Sequence, residues 1–593
     1  MSILYVITLI ILITLVILVE KSKEKIEIIK TLAITGVLIL AYNCFACYML
    51  NLANIPITLL NLSIVNLVVS LIILCKIIKD KTIQRYKVKK RNITIVMLML
   101  LVLVTLIVTY QNFGKLTRIR YVSMDAREHY KAAREFSENE FLSNKAVENN
   151  TTSKELMPMG YTNAGIIFKI LRPYEGTINL YKAYILFEAF VFFLTGFMFY
   201  AILEEKLETI ENKSLALIFG IIYMIGYPLN AWILGFHYLL IGILFVETII
   251  YLQINKQNVK ILTNVIMLFL ANFGLIFSYS LFCPFVYLAE FVYFIYKFTK
   301  NKDKAKLILY TTIALILPGI IGVTYLIVPT IGKVGGYIAL DGALYKNFWS
   351  NFILFIPFSL YEIYANIKNK KFTFENLIFV LLIAYMVVLG IGMKTGKCSE
   401  YYFSKNYFIL WLMLNILNIK GMVELGKEKA GKYLTILYTI VYLAIFTISI
   451  CINKTYITNK ASDSLENVME VFTFNSTMMK AQNAAFVTEN EINLYSKMEE
   501  ILNKDWKKYN KNEILFITNG TQENWIQSLT GYKNILYENY DFAVQNLKQN
   551  NYKYIVISEN RNRFEEIKKY INYDKLELIC SIDDGKIYVR KEE

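Results

Sequence analysis

Long apolar runs recur along most of this 593-residue chain, and they constrain its fold more than any other feature. Hydrophobic residues make up 56% of the sequence. Many of them form uninterrupted stretches of roughly 20 residues, the length that a helix needs to cross a bilayer core. A chain of this kind does not fold as a water-soluble enzyme. Its composition also excludes disorder, a collagen-like repeat and a disulfide scaffold.

The apolar runs predict about fourteen membrane spans. The predicted spans are 2–19, 31–50, 57–75, 93–110, 181–203, 214–233, 236–253, 261–280, 282–298, 307–331, 350–366, 376–393, 407–419 and 433–452. The first span follows no basic residue and has no small-residue cleavage site, so we interpret it as a retained helix and not as a signal peptide.

The net charge of +16 reports topology. Seven segments that share one side of the predicted membrane hold 28 of the 63 basic and 12 of the 47 acidic residues, so their difference equals the whole net charge. The positive-inside rule makes that side cytoplasmic. We therefore expect a multi-pass plasma-membrane protein with an extracytoplasmic amino terminus. Nucleic acid is excluded as a partner, because the basic residues lie in short loops between spans.

Two regions are predicted. Residues 1–452 form a multi-pass membrane domain with a long extracytoplasmic loop at 111–180, and residues 453–593 form a soluble extracytoplasmic domain. In the tail, short apolar runs at 514–518 and 554–558 and a C-terminal hairpin indicate a small α/β module. The expected fold class is mostly α: a polytopic membrane helical bundle with a small C-terminal α/β domain.

The loop after the fourth span places several reactive side chains on one predicted helix. Asp125 and His129 are four residues apart and share a helix face, and Asp125 falls in the first turn, where a carboxylate is favoured. Arg127 and Glu128 lie beside them as candidate substrate-binding residues. The second of the two histidines in the chain, His237, begins the seventh span at its outer end and can face the same surface. The alternative is an ordinary solvated helix held by ion pairs.

A second cluster precedes the thirteenth span. Lys394, Lys397 and Lys405 stand on the side where basic residues are disfavoured, with Tyr401 and Tyr402 between them. Ammonium groups at headgroup level can bind a lipid phosphate. The alternative is an aromatic belt with snorkelling lysines.

Two acidic residues lie well inside predicted spans. Glu188 is two turns from the outer face, and Glu290 is near the middle of its span. Carboxylates inside a membrane are functional candidates by default. The sequence assigns neither of them a role.

The chain resembles a known superfamily. Its many spans, its Asp in the first large outside loop and its soluble outside tail resemble the GT-C glycosyltransferases. The stretch 124–130 resembles the Asp-x-x-x-His-Tyr motif of uncharacterised bacterial GT-C-like membrane proteins, and the stretch 399–407 resembles their late Tyr-Tyr-x-x-Lys loop. The layout of the whole chain matches, whereas the motifs are short.

The resemblance implies a GT-C-like bundle and a membrane glycosyltransferase of the cell envelope. Such an enzyme moves a sugar from a polyprenyl-phosphate donor to a glycan, lipid or protein acceptor. Membrane lipids are its further partners. Asp125 would be the general base, and His129 would orient it or bind the sugar. Lys405, with Lys394 and Lys397, would neutralise the phosphate that leaves, so no cofactor is required.

The loop departs from the family pattern at one point. Many members carry paired acidic residues there, whereas here Asp125 is followed by Ala126 and Arg127, with Glu128 three positions on. A divalent metal is therefore not favoured. Glu128 is either the second acid or a surface residue, and Arg127 is a further candidate for the phosphate.

Two other functions stay open. A flippase or transporter for lipid-linked oligosaccharide would also use many spans, but it needs neither the long loop nor a folded tail, and no inverted repeat is evident. A polysaccharide polymerase or ligase would depend on arginines of the loop, where Arg118, Arg120, Arg127 and Arg134 are candidates.

Overall fold

The structure is a computed structural model. The residues that it describes are 1–19, 28–80, 92–115, 125–142, 157–172, 176–205, 207, 209–255, 261–300, 302–330, 348–451, 469–473, 475, 487, 489–502, 513–517, 520–532, 544–545, 547–548, 552–559, 564–582 and 585–591. The candidate arginines Arg118 and Arg120 and the predicted boundary at 452/453 lie outside the described residues.

Helices dominate the chain. The α-helices are α1 (Ser2–Val19), α2 (Ile28–Leu52), α3 (Leu59–Asp80), α4 (Asn92–Phe113), α5 (Asp125–Glu138), α6 (Pro158–Leu171), α7 (Thr177–Glu204), α8 (Ile210–Ile225), α9 (Tyr227–Ile233), α10 (His237–Ile254), α11 (Ile261–Tyr279), α12 (Cys283–Lys300), α13 (Lys304–Leu309), α14 (Leu317–Gly322), α15 (Phe348–Phe352), α16 (Ile356–Lys368), α17 (Phe374–Lys394), α18 (Glu400–Lys405), α19 (Tyr407–Leu425), α20 (Lys429–Cys451), α21 (Glu489–Ile501), α22 (Gly520–Thr530) and α23 (Phe564–Ile567). Within the described ranges, eleven helical stretches are long and apolar enough to cross a membrane.

Two of the predicted spans are joined by a tight turn. The predicted spans 261–280 and 282–298 form α11 and α12, with a 3-10 turn at Ser280–Phe282 between them. The two helices lie side by side, because the Tyr287 hydroxyl of α12 donates to the Asn272 carbonyl of α11 at 2.9 Å. Pro284 follows that turn, and a proline in the first helical turn is tolerated because its missing N–H would have no partner there.

Two further predicted spans differ in regularity. The first, 2–19, matches α1, an apolar helix of 18 residues that is as long as α10. The predicted span 350–366 divides into α15, a 3-10 turn and the 13-residue α16, which has a proline in its first turn. The apolar pattern identified these segments correctly, but it does not report a break in the backbone.

Apolar side chains cover the outside of the bundle. Leu71 and Ile72 on α3, Val388 on α17 and Leu437 on α20 are all more than half exposed. By contrast, α10 is almost wholly buried in the centre. A protein with an apolar exterior of this kind matches hydrocarbon and not water, so the chain is a multi-pass membrane protein.

Buried ion pairs mark one end of the bundle. Glu204, at the end of α7, lies 3.0 Å from Lys30 and 3.7 Å from Lys213. Lys420 on α19 pairs with Glu375, the second residue of α17. The helices α5 and α6 lie at the opposite end, where α7 and α10 begin.

The C-terminal part contains a four-stranded sheet with the order β1-β2-β4-β3. The strands are β1 (Ile514–Ile517), β2 (Tyr554–Ser558), β3 (Leu576–Ile582) and β4 (Gly585–Arg590). β1 and β2 are parallel, and β3 and β4 form the predicted antiparallel hairpin. The expected fold class, a helical membrane bundle with a small C-terminal α/β domain, is confirmed.

The two parallel strands, β1 and β2, are buried on both faces. Side chains alternate along a strand, so Leu515 and Ile517 of β1 pack in a small local core, whereas Ile514 and Phe516 point to the other face. There, Phe516 joins the same continuous core as Trp525 and the helices of the bundle. The C-terminal part is therefore packed directly onto the membrane helices.

Candidate active site

The helix α5 is not an ordinary solvated helix. It begins at Asp125, and one broad side of it is buried, including Ala126, His129, Tyr130 and Phe136. This burial excludes the alternative in which the helix is held only by ion pairs in water. The side chains of α5 are therefore fixed by the elements that pack around them.

A glycine turn between α9 and α10 fixes the start of α5. Gly235 has a φ of +78°, a conformation that favours glycine, and a Cβ atom there would lie 2.7 Å from Ala126 Cβ and 2.9 Å from its backbone nitrogen. The turn thus lies directly against the residue that follows Asp125. It also brings His237, two residues later, to the same helix.

The two histidines lie edge to face. The ring centroids of His129 and His237 are 4.4 Å apart, and both side chains are 2% exposed. Burial, followed by the nearby His237 and Lys405, holds the pKa of the His129 imidazole well below its usual range. His129 is therefore neutral at physiological pH and can either accept or donate a hydrogen bond.

A buried carboxylate supports His237 from behind. The Tyr184 hydroxyl lies 3.0 Å from His237 Nδ1, and Glu188 Oε1 lies 3.6 Å from the same nitrogen. The indole of Trp232 donates to Glu188 Oε2 at 3.0 Å. These contacts orient the imidazole ring of His237, and they give the membrane-embedded Glu188 a place in the site.

Lys405 is enclosed by aromatic rings. It is fully buried at the end of α18, and its Nζ donates to the Tyr238 hydroxyl at 3.0 Å. The same Nζ lies 3.1 Å from the centroid of the Phe236 ring and 4.6 Å from that of Tyr401. Ring faces attract a cation, so this aromatic cage stabilises an ammonium group that is out of contact with water.

Asp125 and Lys405 form the electrostatic centre of the site. Burial of Lys405 disfavours its charged form, and the nearby negative charge of Asp125 acts in the opposite direction. Asp125 is half-buried, whereas Lys405 is fully buried. The site thus combines a partly accessible carboxylate with a lysine that is out of contact with water.

The remaining predicted residues take different places. Tyr402 packs against Tyr401, with ring centroids 5.6 Å apart. Arg127 and Glu128 are partly exposed on α5 and form an ion pair with each other.

Two predicted lysines lie outside this cluster. Lys394 and Lys397 are exposed around the turn after α17. Within the part of the chain that the structure describes, no contact joins either of them to Asp125 or Lys405. Their role as substrate-binding residues stays a prediction.

Sequence reasoning missed three members of the site. Phe236 and Tyr238 flank His237, and Tyr184 supports it from α7. One signal was present: the dipeptide His-Tyr occurs twice, at 129–130 and 237–238, and these are the only histidines in the chain.

No metal centre is evident in the described ranges. They contain no group of three or more His, Cys, Asp or Glu residues that could hold a metal ion. The expectation that the reaction needs no metal stays a prediction.

Together, the fold and the site define a multi-pass membrane protein with a carboxylate, two imidazoles and a buried lysine clustered at one end of the bundle. No family model matches the sequence, and no curated protein matches it. Among solved structures, the chain is similar to a crystal structure of ArnT from Cupriavidus metallidurans in the apo state. The match has 11% identity and a TM-score of 0.43, and it covers 83% of this chain and 97% of that chain. Identity and score at this level assign no substrate and no role to any residue.

Proposed function

We propose that this protein is an integral-membrane glycosyltransferase of the GT-C type. In this proposal, it transfers a sugar from a polyprenyl-phosphate donor to an acceptor on the extracytoplasmic side. The observation that carries the proposal is the half-buried Asp125 carboxylate next to the buried Lys405 ammonium. Such a transfer requires a negative group that takes the proton of the acceptor and a positive group that neutralises the leaving phosphate. Asp125 and Lys405 supply these two groups next to each other.

Asp125 acts as the general base. It takes the proton of the acceptor hydroxyl while the hydroxyl oxygen attacks the anomeric carbon of the sugar. Its position at the first turn of α5 leaves the carboxylate accessible to an acceptor that arrives from outside the bundle. The bond between the anomeric carbon and the phosphate oxygen breaks as the new glycosidic bond forms.

Lys405 acts on the leaving group. The phosphate oxygen departs with the electron pair of the broken bond, and a cation placed where this negative charge develops stabilises the transition state. The aromatic cage keeps water away from the ammonium, which strengthens its interaction with an anion. The lipid phosphate is already an anionic leaving group, so the proposal requires no resident cofactor.

The two imidazoles supply neutral hydrogen-bonding groups. The Nδ1 of His129 and the Nε2 of His237 are buried and have no hydrogen-bond partner among the described residues. A buried polar atom without a partner is costly, so a bound ligand with hydroxyl groups would satisfy it. A sugar ring carries several such hydroxyls, and we place it against the His129 ring. The Nε2 of His237 lies against Gly160 of α6, where a Cβ atom would overlap that nitrogen.

The extracytoplasmic side follows from the charge distribution. The site lies at the end of the bundle where the short loops carry few basic residues, and the other end carries the lysine-rich loops. By the positive-inside rule, the site end faces away from the cytoplasm. Polyprenyl-phosphate sugars are the donor class that such a position favours, because the lipid holds the sugar at the membrane surface.

The test supplies purified protein in liposomes with radiolabelled undecaprenyl-phosphate sugars and candidate glycan, lipid and protein acceptors. The expected result is label transferred from the lipid donor to an acceptor, and no transfer from the matching nucleotide sugar. Movement of the lipid across the liposome without transfer would instead identify a flippase. Chain extension of a lipid-linked polymer would identify a polymerase. Either of these results would contradict the proposal.

A further inference from the structure

The C-terminal part supplies a cap to a membrane helix. α7 begins after Gly176, which has no side chain that could cap it. Instead, Glu499 of α21 accepts from the Thr177 backbone nitrogen, with oxygen distances of 2.9 and 3.1 Å, and from the Thr177 hydroxyl at 2.6 Å. A carboxylate at a helix N-terminus satisfies otherwise unpaired N–H groups and complements the helix dipole. The tail therefore binds the start of α7 through a specific, buried contact.

A tryptophan of the tail lies between α5 and α7. The Trp525 ring is fully buried, and its centroid lies 6.3 Å from that of Tyr130 and 6.2 Å from that of Tyr181. One aromatic ring thus comes from each of α22, α5 and α7. Tyr130 is adjacent to His129, so this cluster packs directly behind the candidate active site.

A glycine turn of the tail closes over α5. Gly531 has a φ of +77°, and a Cβ atom there would overlap the guanidinium of Arg134. Arg134 is 7% exposed and pairs with Glu138 at 3.2 Å, one turn further along α5. The turn after α22 therefore follows the surface of α5 closely.

The position of α5 depends on these contacts because the helix is short. It has 14 residues, and helices of about this length are marginal without packing partners. The bundle holds two of its sides, through Gly235 at Ala126 and through Gly165, where a Cβ atom would meet the Ala133 carbonyl at 2.8 Å. The tail holds the side that carries Tyr130 and Arg134.

We propose that the C-terminal domain is a structural part of the active site, in which Trp525 and Glu499 are positioning residues that keep Asp125 in the reactive geometry. Trp525 contacts α5 directly, and Glu499 fixes the start of α7, whose Tyr181 packs against Tyr130 of α5. This inference rests on the proposed function of Asp125. It differs from the expectation for an independent soluble module, which would bind an acceptor and leave the geometry of α5 unchanged.

The experiment measures kcat and KM for the lipid donor with the full chain in nanodiscs. Trp525→Ala is expected to lower kcat about 100-fold with KM within about threefold, because a shift of about 1 Å at the reacting groups has an effect of this size. Trp525→Phe retains an aromatic ring and is expected to recover most of the rate. Glu499→Gln should also lower kcat, by less than Trp525→Ala does, because a weakened cap holds the start of α7 less firmly. The control is Glu500→Gln, the exposed neighbour on the same helix, which should behave as wild type.

Hydrogen exchange separates this inference from the proposed function. The amides of α5 are expected to exchange faster in Trp525→Ala than in wild type, while those of α10 stay protected. Wild-type kcat and α5 protection in Trp525→Ala and Glu499→Gln would overturn the inference, even where Asp125→Asn is inactive. A raised KM with unchanged kcat would also overturn it, because the tail would then bind substrate. If Asp125→Asn retains full activity, the proposed function fails. Faster exchange of α5 in Trp525→Ala would then still establish that the C-terminal domain holds this helix in place. If Trp525→Ala does not fold, Trp525→Phe and the isosteric Glu499→Gln provide the same two measurements.

Discussion

Replacing Gly235 with alanine tests whether contact with the glycine turn sets the position of Asp125. The new methyl group would lie 2.7 Å from Ala126 Cβ, whereas ordinary contact begins at 3.4 Å. The start of α5 would therefore have to move by about 0.7 Å, which predicts a loss in transfer rate of between about 10- and 100-fold. The left-handed backbone, with its φ of +78°, adds a strain of about 1–2 kcal/mol.

A second glycine separates the contact from the strain. Gly396 has a φ of +69° and no atom within 4 Å of the position that a Cβ would take. Gly396→Ala carries the backbone strain without the contact, so it should lower the melting temperature by less than Gly235→Ala and leave the transfer rate unchanged. The assay is steady-state transfer at saturating donor, with thermal unfolding measured on the same samples. Equal rates in the two variants would refute the role of the Gly235 contact.

Three further predictions concern the cation, one histidine and a remote ion pair. Lys405→Met should lower the transfer rate about 100-fold by removing the charge that neutralises the leaving phosphate, whereas the exposed Lys427→Met should not; equal rates would contradict this. Folding lowers the pKa of His129, so the unfolded chain binds that proton first as the pH falls below about 6.5. Wild type should thus lose more stability between pH 7 and pH 5 than His129→Gln does. If the melting temperatures of the two proteins fall in parallel over this range, His129 is not the cause of the loss. Lys420→Met leaves the buried Glu375 carboxylate without its cation and should cost about 3–5 kcal/mol; a double variant with Glu375→Leu should recover stability, and no recovery would contradict the account.

Local patterns predicted the part of the site that lies on single elements. Helical spacing placed Asp125 and His129 on one helix, and the scarcity of histidine pointed to His237. The positive-inside rule singled out the lysine group to which Lys405 belongs, because a basic residue on the disfavoured side needs a reason. Each of these inferences uses only the immediate sequence and the topology of the spans.

Contacts between distant elements were beyond the sequence. Spacing gives no distance between Glu188 and His237, which lie on different helices, and it cannot separate the buried Lys405 from the exposed Lys397 in the same loop. The tail gave no functional signal because its residues Glu499 and Trp525 act through neighbours more than 300 residues away in the chain. Such pairings are fixed by tertiary packing alone.

The most direct test of the central claim is the single-turnover rate of sugar transfer from pre-bound lipid donor in wild type, Asp125→Asn and Glu128→Gln. The two substitutions change neighbouring carboxyl groups of one helix in the same way. With Asp125 as the general base, Asp125→Asn should bind the donor normally and transfer the sugar about 100- to 10,000-fold more slowly, whereas Glu128→Gln should match wild type. Transfer at the wild-type rate by Asp125→Asn would contradict the account.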